Sequence, residues 1–173
     1  EGLIGSPHED QLKALAASAA SSGAIAMFHV VGLTPEASTR EAAFQGLRPE
    51  ERIDITLSLL RRARSELSTA SGDHLDLVGL GSPHLSISEI KRLIPLLQGK
   101  RTPPDVQFLV TTSRAVARLA EESGAMEILR AFGAKVTVDT CILTTPMLPE
   151  GIKVLMTNAG KFAYYAPGLL GRE

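Results

Sequence analysis

Four short segments hold most of the side chains in this sequence that could do chemistry. They are Gly81-Ser82-Pro83-His84, Thr111-Thr112-Ser113-Arg114, Asp139-Thr140-Cys141 and Thr157-Asn158-Ala159-Gly160-Lys161, and each follows a short apolar run. A fifth run carries His29 near its end and leads into Gly32 and Thr34-Pro35-Glu36. Together they offer imidazoles, hydroxyls and two cations, Arg114 and Lys161, of the kind that hold a carboxylate or phosphate beside a helix N-terminus. Cys141 is the single thiol. A thiol there could act as a nucleophile or as one ligand of a cluster, but cannot make a cluster by itself. Each residue also has a plain reading: His84 as a solvated loop residue, His29 as a core histidine, Ser113 as a helix cap, Arg114 and Lys161 as surface charges, and Cys141 as a small buried hydrophobe.

These segments can cooperate only if the elements before them bring them to one edge. The apolar runs at 24–31, 75–80, 106–111, 135–138 and 152–156 read as five buried strands, bounded by Gly, Pro and polar residues. Helical patterns lie between them. One starts at Ser6-Pro7-His8-Glu9 and ends at Gly23, and another begins at Thr39. A third carries Ile53, Leu57, Leu60, Ala63 and Leu67 on one face. Ser86-Ile87-Ser88-Glu89 is a capping box for a fourth, in which Pro95 should cause a kink or an early end. Two more run from Ser113 to Ser123 and from Ala125 to Phe132. Strands alternating with helices imply an α/β fold, a three-layer, mostly parallel five-stranded sheet with helices on both faces. No repeat, low-complexity tract or shift in composition divides the chain, so residues 1–173 are read as a single domain. Ligands of open α/β sheets bind beyond the carboxyl ends of the strands, where all five segments fall.

Composition narrows the function classes. With 44% hydrophobic and 21% charged residues, the chain is ordinary for a globular protein. A formal charge of −1 and an aromatic content of 4% without Trp argue against a nucleic-acid partner. There is no apolar run long enough to span a bilayer, so no membrane partner is expected. One cysteine allows no internal disulfide and points to a reducing cytoplasm. The start, Glu1-Gly2-Leu3-Ile4-Gly5, has neither Met nor a basic leader and suggests a piece of something longer. No G-x-x-x-x-G-K-[ST] or G-x-G-x-x-G string is present, so nucleotide fingerprints are absent.

Five strings, in order and across nearly the whole chain, carry a resemblance. They are His29-Val30-Val31-Gly32-Leu33-Thr34-Pro35-Glu36-Ala37, Gly81-Ser82-Pro83-His84-Leu85-Ser86, Thr112-Ser113-Arg114, Asp139-Thr140-Cys141, and Met156-Thr157-Asn158 through Lys161 to Tyr165-Ala166-Pro167-Gly168. This pattern resembles the aconitase X family, in the C-terminal part of its large subunit. The resemblance implies an aconitase-like domain and a hydro-lyase reaction assisted by an iron–sulfur cluster, [4Fe-4S] or [2Fe-2S]. It implies Cys141 as the metal ligand, the only one in this chain, with His84, Ser82 and Ser86 as catalytic residues. His29, Thr34, Ser113, Arg114, Asn158 and Lys161 would bind the substrate. Ser82 stands where some relatives are expected to have Cys. The substrate implied is a small hydroxylated carboxylate such as cis-3-hydroxy-L-proline, with mevalonate 5-phosphate as the alternative. The implied partners are the N-terminal half of the large subunit and a small swivelling subunit or domain. Without them the isolated domain should be inactive.

Two other classes compete. A non-catalytic α/β module that captures an anion at helix N-termini would have no need of Cys141. An enzyme using Cys141 as a nucleophilic thiolate would show a depressed thiol pKa and rapid alkylation.

Overall fold

The computed structural model describes Leu3 and residues 5–171, which form two compact units, residues 1–66 and 67–173. This is two units where the sequence pattern set one domain. The boundary between Glu66 and Leu67 is marked by no shift in local composition.

The first unit is helical. It contains α1 (Glu9–Gly23), a single 3-10 turn (Pro35–Ala37), α2 (Arg40–Phe44) and α3 (Leu57–Glu66). Thr39 caps α2, its hydroxyl accepting from the Ala42 amide at 3.1 Å. The run 24–31, expected as a strand, is an extended segment with no strand partner among the described residues. Apolar character does not make a strand without a neighbour to pair with. Here Ile25 and Met27 are exposed, and the Val30 amide bonds instead to the Thr34 hydroxyl at 3.1 Å. The apolar stripe of α3 is likewise not buried within its unit: Leu57 and Leu60 are exposed, and Ile53 lies before the helix begins. Val30 and Ala37 are the buried hydrophobics described in this unit.

The second unit is the α/β body. It holds a sheet of four parallel strands, not five: β1 (Leu77–Leu85), β2 (Gln107–Thr112), β3 (Ala134–Val138) and β4 (Leu155–Met156), in the order β3-β2-β1-β4. Between the strands lie α4 (Ile87–Leu97), α5 (Arg114–Glu122) and α6 (Ala125–Phe132), and α7 (Gly160–Tyr165) follows β4 and runs into a π-helical turn, Ala166–Leu170. Because side chains alternate across a strand, β2 serves two cores. Phe108 and Val110 pack with Ile90 and Leu97 of α4, Ala120 of α5, and Met126 and Leu129 of α6. Leu109, on the opposite face, packs with Leu77, Ile142, Leu143, Ile152 and Phe162. The second face is therefore covered by α7 and an irregular segment as much as by helix.

Two local expectations change for identifiable reasons. The expected strand 152–156 shortens to Leu155–Met156 because the Asp76 carboxylate takes the amides of both Lys153 and Val154, each at 2.8 Å. Helix α4 continues through Pro95 to Leu97. A proline this near the C-terminus removes a single intrahelical bond and leaves only one short turn after it.

Candidate functional site

The strand order decides where a site can form. β2 and β3 extend the sheet on one side of β1 and β4 lies on the other, so the connections diverge between β1 and β4. Such a switch point, at the carboxyl ends of the strands, is where open α/β sheets bind ligands. Ser82 and His84 are in the last half of β1, and Asn158 and Lys161 directly follow β4.

Ser82 and His84 belong to β1 itself, rather than to a loop after it. The β1–β2 register runs regularly to the pair Leu80–Val110 and resumes at Leu85–Thr112, so residues 81–84 lie opposite Thr111 alone. The segment is a wide bulge, a device that re-aims side chains at sheet edges. It includes a cis Ser82–Pro83 peptide bond. Ser82 is buried and His84 half-buried. The His84 ring nitrogen Nε2 lies 2.6 Å from the Thr140 carbonyl oxygen. A carbonyl can only accept, so Nε2 donates this bond. That bond ties the end of β1 to the loop bearing Cys141.

Ser86 caps α4. Its hydroxyl accepts from the Glu89 amide at 3.1 Å while Glu89 accepts from the Ser86 amide at 2.9 Å, the capping box expected from the sequence. Ser113 caps α5 through the Val116 amide at 3.2 Å. Arg114 does not stand alone as an anion receptor. Asp139, at φ 52°, accepts from the Arg114 amide at 2.9 Å and pairs with its guanidinium at 3.0 Å. The sequence reading placed Asp139 beside Cys141 without seeing this capping role, because the link joins residues 25 apart.

Cys141 is a free, half-buried thiol. Burial pushes its pKa up, but the Thr144 hydroxyl, the amides of Leu143 and Thr144 and the charge of Lys161 outweigh that and bring it below the ordinary thiol value. The loop is held in shape by the Thr145 hydroxyl, which donates to the Cys141 carbonyl at 2.7 Å. A thiolate lodged among amide donors has the chemistry of a cluster ligand. Among the described residues no group of three or more His, Cys, Asp and Glu could hold a metal ion. The surroundings fit Cys141 as one ligand, and a cluster held there would take its other ligands from outside these residues.

His29 and Thr34 are in the first unit. Thr34 is engaged with the backbone of Val30, and His29 has a buried Nδ1 with no hydrogen-bond partner. His29 lines a cavity of about 870 Å³ with Phe28, Arg40, Phe44, Arg52 and Ile55. Asn158 is exposed and lines a shallow cavity of about 240 Å³ beside Glu89 and Arg92.

Residues 75–173 match the family described as Aconitase X third domain, and residues 2–65 match Aconitase X second domain. This chain belongs to the aconitase X family. The two matches follow the two compact units, with the boundary at residues 66 and 67 falling between them. The chain is 44% identical over 169 residues to a cis-3-hydroxy-L-proline dehydratase of Pseudomonas aeruginosa, covering 96% of this chain and 29% of that protein. It is 39% identical over 174 residues to a phosphomevalonate dehydratase large subunit of Methanothermobacter thermautotrophicus, covering 99% of this chain and 41% of that one. Among solved structures it is similar to the holo-form of Thermococcus kodakaraensis aconitase X, with a TM-score of 0.78 and 30% identity, covering 94% of this chain and 40% of that chain. The chain therefore spans less than half the length of these relatives. No helix among the described residues is long and apolar enough to cross a membrane.

Proposed function

We propose that this aconitase X chain is the C-terminal part of the large subunit, or of its equivalent region, in a hydro-lyase that dehydrates cis-3-hydroxy-L-proline. The observation that carries the reading is the bond from His84 Nε2 to the Thr140 carbonyl, which joins a base and the Cys141 loop at the switch point of the sheet. Dehydration of a 3-hydroxy acid takes the proton from the carbon bearing the carboxylate, while hydroxide departs from the neighbouring carbon. His84 would be the base that takes that proton. Ser82 and Ser86 flank it and would orient the substrate hydroxyl. Lys161, and Arg114 in balance with Asp139, would hold the substrate carboxylate together with Ser113 and Asn158.

Cys141 would be one ligand of an iron–sulfur cluster, [4Fe-4S] or [2Fe-2S]. When bound, such a cluster supplies a Lewis acid for the departing hydroxyl. The remaining ligands would come from the N-terminal part of the large subunit, and a small swivelling subunit or domain would close the site. A reducing cytoplasm suits a thiol that has to stay reduced.

Phosphomevalonate is the second reading, on the strength of the relatives named for it. Asp139 offsets Arg114, and this lowers the net positive charge at the edge. That favours a zwitterion over a phosphate ester. The test is to assay the complete protein, prepared anaerobically, for iron, sulfide and dehydration of each substrate. Turnover of cis-3-hydroxy-L-proline that is lost with Cys141→Ala supports the reading. Turnover of phosphomevalonate alone selects the second reading. Anion binding that survives Cys141→Ala, in a protein free of iron, would replace both with a binding module.

A further inference from the structure

The bulge that carries Ser82 and His84 presents a physical problem. Opposite Thr111, β1 has the four residues 81–84, so the regular ladder cannot serve its backbone there. Two of its carbonyls find the same kind of partner. The Thr111 hydroxyl donates to the Gly81 carbonyl at 2.6 Å, and the Thr112 hydroxyl donates to the Leu85 carbonyl at 2.6 Å. These are the two ends of the bulge. Consecutive residues of a strand project to opposite faces, so the hydroxyls reach it from the two sides of β2. Both threonines are fully buried, at 1% and 0% exposure, in a strand whose preceding residues are Phe108, Leu109 and Val110. A buried hydroxyl is costly unless bonded, and a valine would fill the same space without one. The bulge also lies hard against β2. Gly81 has φ +104°, and a Cβ there would lie 2.1 Å from the Thr111 carbonyl oxygen. Only glycine lets the chain pass so close.

We propose that Thr111 and Thr112 are positioning residues, whose two hydroxyls clamp the carbonyls of Gly81 and Leu85 that bracket the 81–84 bulge and set where Ser82 and His84 stand at the sheet edge. The clamp acts on the backbone either side of His84, and the Thr140 carbonyl holds its ring. The proposal rests on the reading that Ser82 and His84 serve the dehydration.

The test uses the complete protein with Thr111→Val, Thr112→Val and the corresponding serine variants. Two quantities are read: kcat and KM on cis-3-hydroxy-L-proline, and the His84 imidazole nitrogen resonances in ¹⁵N-histidine-labelled protein, assigned with His84→Gln. Leu129→Ala, a buried change in α6, serves as a control for general loss of stability. The valine variants should lower kcat about 10- to 100-fold, the scale set by displacement of a catalytic group of about 1 Å, with far less effect on KM. The His84 Nε2 resonance should move, and serine should restore both. Folded valine variants with wild-type kcat and an unmoved resonance would overturn the clamp. So would serine variants as impaired as valine, or a Leu129→Ala control that shifts His84 equally. If the valine variants do not fold, the serine variants decide, since they keep the hydroxyl and lose only the methyl. If the wild-type protein does not turn over this substrate, the proposed function falls, and the His84 resonance alone still judges the clamp.

Discussion

Gly79→Ala should destabilise the protein and raise the pKa of Cys141, although neither residue touches the other's loop in sequence. Gly79 lies in β1 where the Phe162 ring packs on the strand. A Cβ there would sit 2.7 Å from Phe162 Cε1, 3.3 Å from its Cζ and 3.2 Å from Leu77 Cδ2. Carbon atoms rest at about 3.5–4.0 Å, so the ring has to retreat by close to 1 Å. Phe162 is fully buried among Leu77, Leu109, Ile142 and Ile152 and has little room to do so. Overpacking of this kind costs about 1–3 kcal/mol. Replacing a strand glycine returns about 0.5–1 kcal/mol of backbone entropy, which leaves a net loss of up to about 2.5 kcal/mol. The displacement matters for the site because Phe162 follows Lys161, whose charge helps to lower the Cys141 pKa. Urea denaturation and the pH dependence of iodoacetamide alkylation would measure the two effects. Gly79→Ala combined with Phe162→Leu should recover part of the stability. A Gly79→Ala protein more stable than wild type, with an unchanged alkylation profile, would refute the account of Phe162 as the occupant of the glycine notch.

Two further predictions concern titration. Thr144→Val removes the hydroxyl that contributes most to lowering the Cys141 pKa, so alkylation should need a higher pH than in wild type. An unchanged or lower alkylation pH would contradict this. Asp76 has its pKa lowered from 3.8 to about 2, first by the Val154 amide and then by that of Lys153. Its contribution is therefore present above about pH 4 and is lost as pH falls through about 2, because the unfolded chain binds the proton more readily. Asp76→Ala should lower stability near neutral pH and flatten the acid limb between those values. An acid limb of wild-type steepness would show that the carboxylate does not anchor β4.

Local signals in the sequence marked three helix starts correctly and a fourth two residues early, since α1 begins at Glu9 with His8 rather than Ser6 at its cap. Ser86 and Glu89 cap α4, Ser113 caps α5 and Thr39 caps α2, since a hydroxyl three residues from an amide needs nothing distant to bond to it. Three of the apolar runs became β1, β2 and β3 for the same reason: their length and flanking breaks suit a buried parallel strand. The family strings also lay in the sequence. What the sequence could not contain is pairing. The run 24–31 is as apolar as a strand, but a strand exists only when another segment offers its hydrogen bonds, and none is offered among the described residues. The run 152–156 lost its first half to Asp76, 77 residues upstream of Lys153. The bulge at 81–84, the clamp by Thr111 and Thr112, the pairing of Asp139 with Arg114 and the tie from His84 to Thr140 join residues between 25 and 56 positions apart. Residue types fixed what chemistry the chain could offer. The tertiary structure alone decided which groups meet, because long-range hydrogen bonds depend on register and on the packing that enforces it.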